Sequence, residues 1–162
     1  LARDKGHMDD EIPSLLSALA QEQVQAGERV AGPAPDQAIS TMDHYIRARF
    51  GMPLPPELAL VWASCDGVDF NGMTIYRATT FPTDPYRPNL REVNESFNEV
   101  TGTRYLYIGA ADSDAFVHDR QSGGWHMSDR ISLDSSEEFD NCGALLRAVM
   151  VKYLRAWNKG LA

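Results

Sequence analysis

The chain has 162 residues, of which 43% are apolar and 23% are charged, as in a single soluble globular domain and unlike a disordered or fibrous protein. Its formal net charge of −8 argues against direct nucleic-acid binding, because that affinity comes mainly from Lys and Arg that neutralise phosphates. No apolar run approaches the ~20 residues of a membrane span, and the two cysteines fit buried thiols in a reducing compartment. We therefore expect a cytoplasmic protein that binds neither nucleic acid nor membrane.

The first seven residues, LARDKGH, precede Met8 and resemble a vector-derived remnant, so we expect one domain over residues 8–162. Residues 9–50 are predicted to hold two amphipathic helices. In the first, Ile12, Leu16 and Leu19 recur at helical spacing over residues 9–26. The second is predicted at Asp36–Phe50, ending at a Gly and a Pro.

Residues 54–77 are predicted to form a short helix followed directly by a tight hairpin. Pro56 suits the first helical turn, and an apolar stripe follows it on one face. Asn71-Gly72 between two β-prone runs indicates a type I′ turn, because both central residues of that turn need φ > 0.

The second half of the chain is predicted to add strands over residues 104–131 and a long C-terminal helix over 136–159. In the run 104–110, Leu106 and Ile108 alternate with Tyr105 and Tyr107, as in a half-buried strand. Ser135-Ser-Glu-Glu matches a capping box, which predicts the start of the last helix. These elements indicate an α+β fold, with a mainly antiparallel sheet and helices packed on one face.

The motifs together resemble the SUKH superfamily, most closely its YrhA-like branch. The resemblance covers roughly residues 54–146 and rests on a Leu-Pro-x-x-Leu helix entry at Leu54, the Asn-Gly turn and a Tyr-Leu-x-Ile-Gly strand at Tyr105. It implies a SUKH-like fold and, most often, an immunity protein. Such proteins act in the cytoplasm by binding a toxin, often a nuclease, that a neighbouring bacterium delivers, and they need no cofactor.

Carboxylates are concentrated late in the chain, and this cluster predicts a surface for a basic protein. Eight acidic residues stand within residues 112–140 against two arginines. Clustered negative charge raises the capture rate of a basic partner. We expected Trp125, beside two glycines, to be partly exposed and to act as an apolar anchor. The predicted partner-binding residues are Asp112, Asp114, Asp119, Asp129, Trp125, Tyr105 and Tyr107.

Two other functions stay open from the sequence. His118, Asp119 and His126 would meet across a hairpin and hold a metal or a small ligand for hydrolase-like chemistry. The second open function is that of a scaffold or a regulatory interaction module. The sequence contains no Gly-x-Ser-x-Gly and no phosphate-cradling Gly loop, so the favoured prediction is a non-enzymatic binding protein, either monomer or homodimer.

Overall fold

The computed structural model describes residues 5–80 and 87–160, with side chains over 11–80 and 87–154. Its helices are α1 (Lys5–Gln25), α2 (Asp36–Phe50), α3 (Pro56–Ser64), α4 (Leu90–Thr101) and α5 (Cys142–Gly160). Its strands are β1 (Val68–Phe70), β2 (Met73–Ile75), β3 (Tyr105–Ala110), β4 (Asp114–Asp119), β5 (Trp125–Asp129) and β6 (Ser135–Phe139). The predicted α+β class is confirmed. Residues 1–4 of the predicted vector remnant lie outside the described residues, and residues 5–7 begin α1.

The six strands form one sheet in the order β1-β2-β3-β4-β5-β6, and each strand is antiparallel to its neighbours. Consecutive strands are therefore adjacent throughout, and α4 is inserted between β2 and β3. The β1–β2 turn has the predicted type I′ signs of φ, with +52° at Asn71 and +80° at Gly72. The local turn chemistry thus sets the register of the hairpin.

One face of the sheet carries the larger apolar core. Val68, Ile75 and Phe116 share this face through the strand register. Val68 lines a cavity together with Leu16 and Leu19 of α1. At the far end of the same face, Lys152 of α5 lies 3.5 Å from the Asp114 carboxylate. Helices α1, α3 and α5 contact one another above this face.

Helix α4 packs on the opposite face, which corrects the prediction that all helices cover one side. The Phe97 ring stacks on Tyr107 with centroids 4.5 Å apart. The Asn94 side chain accepts a hydrogen bond from Tyr107 N and donates one to Tyr107 O, each at 2.8 Å. Strand β3 is consequently buried on both faces, whereas its alternating sequence predicted a half-buried strand.

The segment 135–139 is a strand, not the first turn of the last helix, so that prediction is wrong. Helix α5 begins later, because Asn141 supplies its N-cap by accepting a 2.8 Å hydrogen bond from Ala144 N. Phe139, inside the predicted helix, instead pairs with Trp125 across the sheet. Glu137 and Glu138 therefore stand on the last strand, where both are exposed.

Candidate functional site

The structure divides the predicted acidic surface between two ends of the sheet. Asp114 and Asp129 are cross-strand neighbours at one end, and Asp112 lies in the adjoining β3–β4 turn. Asp119 stands at the other end of β4, five residues and about 17 Å from Asp114. Asp112 and Asp129 are exposed, and Asp112 lines a groove of about 440 Å³ beside α4, with Tyr76 and other residues.

Asp119 is a structural residue and does not face a partner, so its predicted role in binding is withdrawn. It is 7% exposed, and its carboxylate receives hydrogen bonds from Arg104 Nε at 3.2 Å and Nη2 at 3.1 Å. Gln121 N donates a third at 2.9 Å. The hydrogen bond from Arg104 lowers the pKa of Asp119 most, and the Gln121 N–H lowers it further. The pKa therefore stays below its usual value despite burial. Asp119 thereby ties the start of β3 to the β4–β5 turn.

Trp125 is buried, contrary to the prediction that it is partly exposed. Only 7% of the residue is accessible, and its ring lies 4.7 Å from the His118 ring, centroid to centroid. Strand β6 covers the edge of β5 that the sequence left open, and Phe139 pairs with Trp125 there. Trp125 therefore belongs to the core and is not a partner-binding anchor.

The two tyrosines of β3 differ in accessibility. Tyr107 is 3% exposed beneath Phe97, so its predicted part in a binding surface is wrong. Tyr105 is half-buried at the strand end, with the Arg104 guanidinium 4.9 Å from its ring centroid. Helix α4 causes the difference, because it covers Tyr107 but leaves Tyr105 partly accessible.

The predicted histidine site does not assemble. His118 pairs with Trp125 on β5 and His126 pairs with Val117 on β4, so the two imidazoles point to opposite faces of the sheet. His126 instead places Nδ1 2.8 Å from Ser135 Oγ. In the parts of the chain that the structure describes, no three His, Cys, Asp or Glu side chains are arranged to hold a metal ion. The metal-site prediction for these residues is therefore not supported by their geometry.

Both cysteines are buried free thiols, as the sequence predicted. Burial raises the pKa of Cys65 to about 11 and that of Cys142 well above its usual value. A thiol that stays protonated is a poor nucleophile, so neither cysteine is suited to covalent catalysis.

The structure places part of the predicted acidic cluster on an exposed edge, which runs from the end of β5 along β6 to the residue after it. We call it the acidic edge and define it by five carboxylates. All five are exposed, and β6 is the last strand of the described sheet, so its outer backbone has no strand partner there. The residues are Asp129, Asp134, Glu137, Glu138 and Asp140.

An isoleucine lies at one end of the acidic edge, between Asp129 and Asp134 in the sequence. Ile131 is 95% exposed in the β5–β6 loop. The loop is held by Asp129 Oδ1, which accepts hydrogen bonds from Ile131 N at 2.9 Å and Ser132 N at 2.8 Å. These backbone donors lower the pKa of Asp129, because they stabilise its charged form. The loop therefore presents an apolar side chain between carboxylates in a fixed conformation.

The sequence contained the acids of this surface but not its shape. The acidic cluster predicted from the sequence includes all five, but the capping-box pattern places Glu137 and Glu138 at a helix start. Ile131 gave no signal, because one isoleucine in a polar loop has no periodic partner.

Within the described residues, no helix combines the length and apolar character that crossing a membrane requires. No protein-family model matches this chain. No curated protein matches it significantly either. The SUKH resemblance therefore stays a prediction that rests on the motifs of this sequence.

Proposed function

We propose that this protein is a non-enzymatic immunity protein of the SUKH type, which binds a basic toxin in the cytoplasm and blocks it by occlusion. The observation that supports this most is the acidic edge, where exposed carboxylates lie along the last strand of the described sheet and an exposed isoleucine lies in the loop before it. The motif resemblance at residues 54–77 and 105–109 points to the same class of protein.

Charge complementarity supports a basic partner. Asp134, Glu137, Glu138 and Asp140 fall within seven residues, and no ion pair among the described residues neutralises them. Toxins that act on nucleic acid carry Lys and Arg where they hold phosphates. Carboxylates placed against that surface would compete with the substrate and speed association by electrostatic steering.

Shape and backbone support the same surface. An exposed strand edge offers N–H and C=O groups that an extended partner segment can pair with. Ile131 adds an apolar contact that can be buried on binding, which charge alone does not supply. The held conformation of its loop reduces the entropy lost when the complex forms.

The test uses the candidate toxin that a pull-down from the native host identifies, with charge reversal as the perturbation. Glu137→Lys combined with Glu138→Lys should lower the association rate about 10-fold or more at low salt, and high salt should reduce the difference. Stopped-flow fluorescence measures the rate, and survival of cells that express the toxin measures protection. Ile131→Ala should instead act mainly on the dissociation rate.

The matched control is Glu28→Lys combined with Glu99→Lys. It changes the net charge equally at two exposed positions outside the acidic edge. The control should bind and protect as the natural protein does. Equal loss in both double variants would show a general charge effect and contradict the proposed surface, and unchanged binding in the Glu137 and Glu138 variant would contradict it outright.

A further inference from the structure

A pocket lined by several basic residues lies between the α1–α2 loop and the segment after β2. It has a volume of about 350 Å³ and is lined by Arg29, Arg77, Arg87, Asp66, Gly32 and Pro33, among others. Three of the chain's fifteen basic residues thus meet in one pocket of a protein with net charge −8.

Backbone hydrogen bonds fix the walls of this pocket. Asp66 N donates to Gly32 O at 2.8 Å, which joins the loop before α2 to the end of α3. Asp66 Oδ1 accepts from Ala78 N at 2.8 Å and Thr79 N at 3.3 Å, which joins the same point to the chain after β2. The pocket is therefore built by the fold and does not depend on surface side chains alone.

The arginines are held at different depths. Arg77 is 8% exposed, and its backbone is anchored by Leu90 N, which donates to Arg77 O at 3.0 Å. Arg87 is half-buried and donates from Nη2 to Arg29 O at 3.0 Å. Arg29 is exposed at the mouth. A ligand that enters would meet cationic groups from the surface to the interior.

Acidic and basic side chains both lie near this pocket. Among the described lining residues Asp66 is the acid, and one of its oxygens is already engaged by two backbone N–H groups. Asp69 lies with Arg77 and Arg87 around a smaller adjoining void. No ion pair among the described residues joins Arg29 or Arg87 to a carboxylate. Guanidinium groups brought together repel one another, and an anion between them would offset that repulsion.

We propose that this pocket binds a small anion that carries phosphate or carboxylate groups. The guanidinium fork matches the oxygens of both groups and can donate two parallel hydrogen bonds. The volume is at the low end of ligand pockets, which favours a small ligand. The ligand class is therefore a compact polyanion.

The experiment titrates the full chain with inorganic phosphate, pyrophosphate and citrate at constant ionic strength set by chloride. Calorimetry or ³¹P NMR should show saturable 1:1 binding of at least one of these anions. Tighter binding of pyrophosphate than of citrate identifies a phosphate ligand, and the reverse order identifies a polycarboxylate. Arg87→Gln should weaken the affinity about 10-fold or more, since it removes a charged hydrogen-bond donor.

Arg49→Gln is the matched control, because Arg49 is exposed on α2 and does not line the pocket. It should bind the anion as the natural protein does, and Arg29→Gln should weaken binding as an independent pocket variant. Absence of saturable binding for all three anions would overturn the proposal, as would equal weakening in the Arg49 control. The Glu137 and Glu138 charge reversal should leave anion binding intact, so this proposal and the proposed function fail separately.

Discussion

The two edge strands of the sheet are built in opposite ways. Strand β1 has three residues, two of them buried, and Gln23 of α1 donates to Asp69 O at 3.2 Å. Strand β6 has five residues, four of them exposed, and presents carboxylates to solvent. An unpaired edge invites association with other chains unless it is shortened, covered or charged. The β1 edge is short and partly covered, whereas the β6 edge stays accessible and carries negative charge.

The difference separates stability from recognition. Residues around β1 bury large apolar surfaces and have little freedom to change, while residues on β6 bury little and can vary with a partner. Substitutions near the two edges should therefore differ in their cost to the fold, and the following variants test that expectation.

The largest loss of stability is expected from Trp62→Ala, beside the β1–β2 hairpin. Trp62 is fully buried, and its Nε1 donates to Tyr76 O at 2.9 Å. Removing the ring should cost about 3–5 kcal/mol of unfolding free energy through lost burial and a cavity. Urea unfolding measures the change, with Leu60→Ala on the exposed side of α3 as control. A loss of stability no larger than that of the control would contradict the assignment of this region as core.

An intermediate, pH-dependent effect is expected from Asp119→Asn, in the middle of the sheet. The pKa of Asp119 is lowered in the folded state, mainly by the Arg104 hydrogen bond. Its stabilising contribution is therefore present above the unfolded-state pKa of about 3.9 and is lost as pH falls through the lower folded-state pKa. At neutral pH the variant should lose about 1 kcal/mol, below the usual range for a charged hydrogen bond, because the Arg104 side chain is 49% exposed and water screens the pair.

Unfolding curves measured from neutral pH to below pH ~3 test this assignment, because an ordinary carboxyl group changes from charged to neutral within that range. The difference between the natural protein and Asp119→Asn should shrink as the medium becomes acidic. Asp134→Asn, at an exposed position, serves as control. A constant difference across that range would show that the carboxylate's charge is not what stabilises the turn.

The smallest effect on the fold is expected from Glu137→Lys on β6. The residue is exposed, so the free energy of unfolding should change by less than about 0.5 kcal/mol. Thermal unfolding of this variant beside Phe70→Ala in β1 makes the comparison direct, since Phe70 is 2% exposed. A cost in β6 similar to that in β1 would show that both edges serve the fold.

Local chemistry made the N-terminal half of the fold predictable. The Asn71-Gly72 turn and the Pro56 helix entry each act within a few residues, and each has the predicted conformation. Helix α2 also has the predicted bounds, because Gly51 ends it in the left-handed conformation at φ +66°.

Long-range contacts decided what the sequence could not predict. Ser135-Ser-Glu-Glu fits a capping box, but pairing of Phe139 with Trp125 makes the segment a strand. The same pairing buries Trp125 and leaves Glu137 and Glu138 exposed on a strand. One wrongly predicted element therefore changed the expected accessibility of several residues. Helix α4 had a similar effect, because its buried Asn94 is polar and gave no sign that the helix covers Tyr107.

The Asn94 side chain also has a consequence for cooperativity. Its side-chain amide hydrogen-bonds to both the N–H and the C=O of Tyr107, as a neighbouring strand would. Strand β2 has already ended at this point. Lifting α4 from the sheet would leave a buried N–H and C=O of β3 without these hydrogen bonds, in addition to exposing Phe97. Helix α4 and the centre of the sheet should therefore open together, as one unit, and the groove beside α4 should keep its shape until the whole domain unfolds.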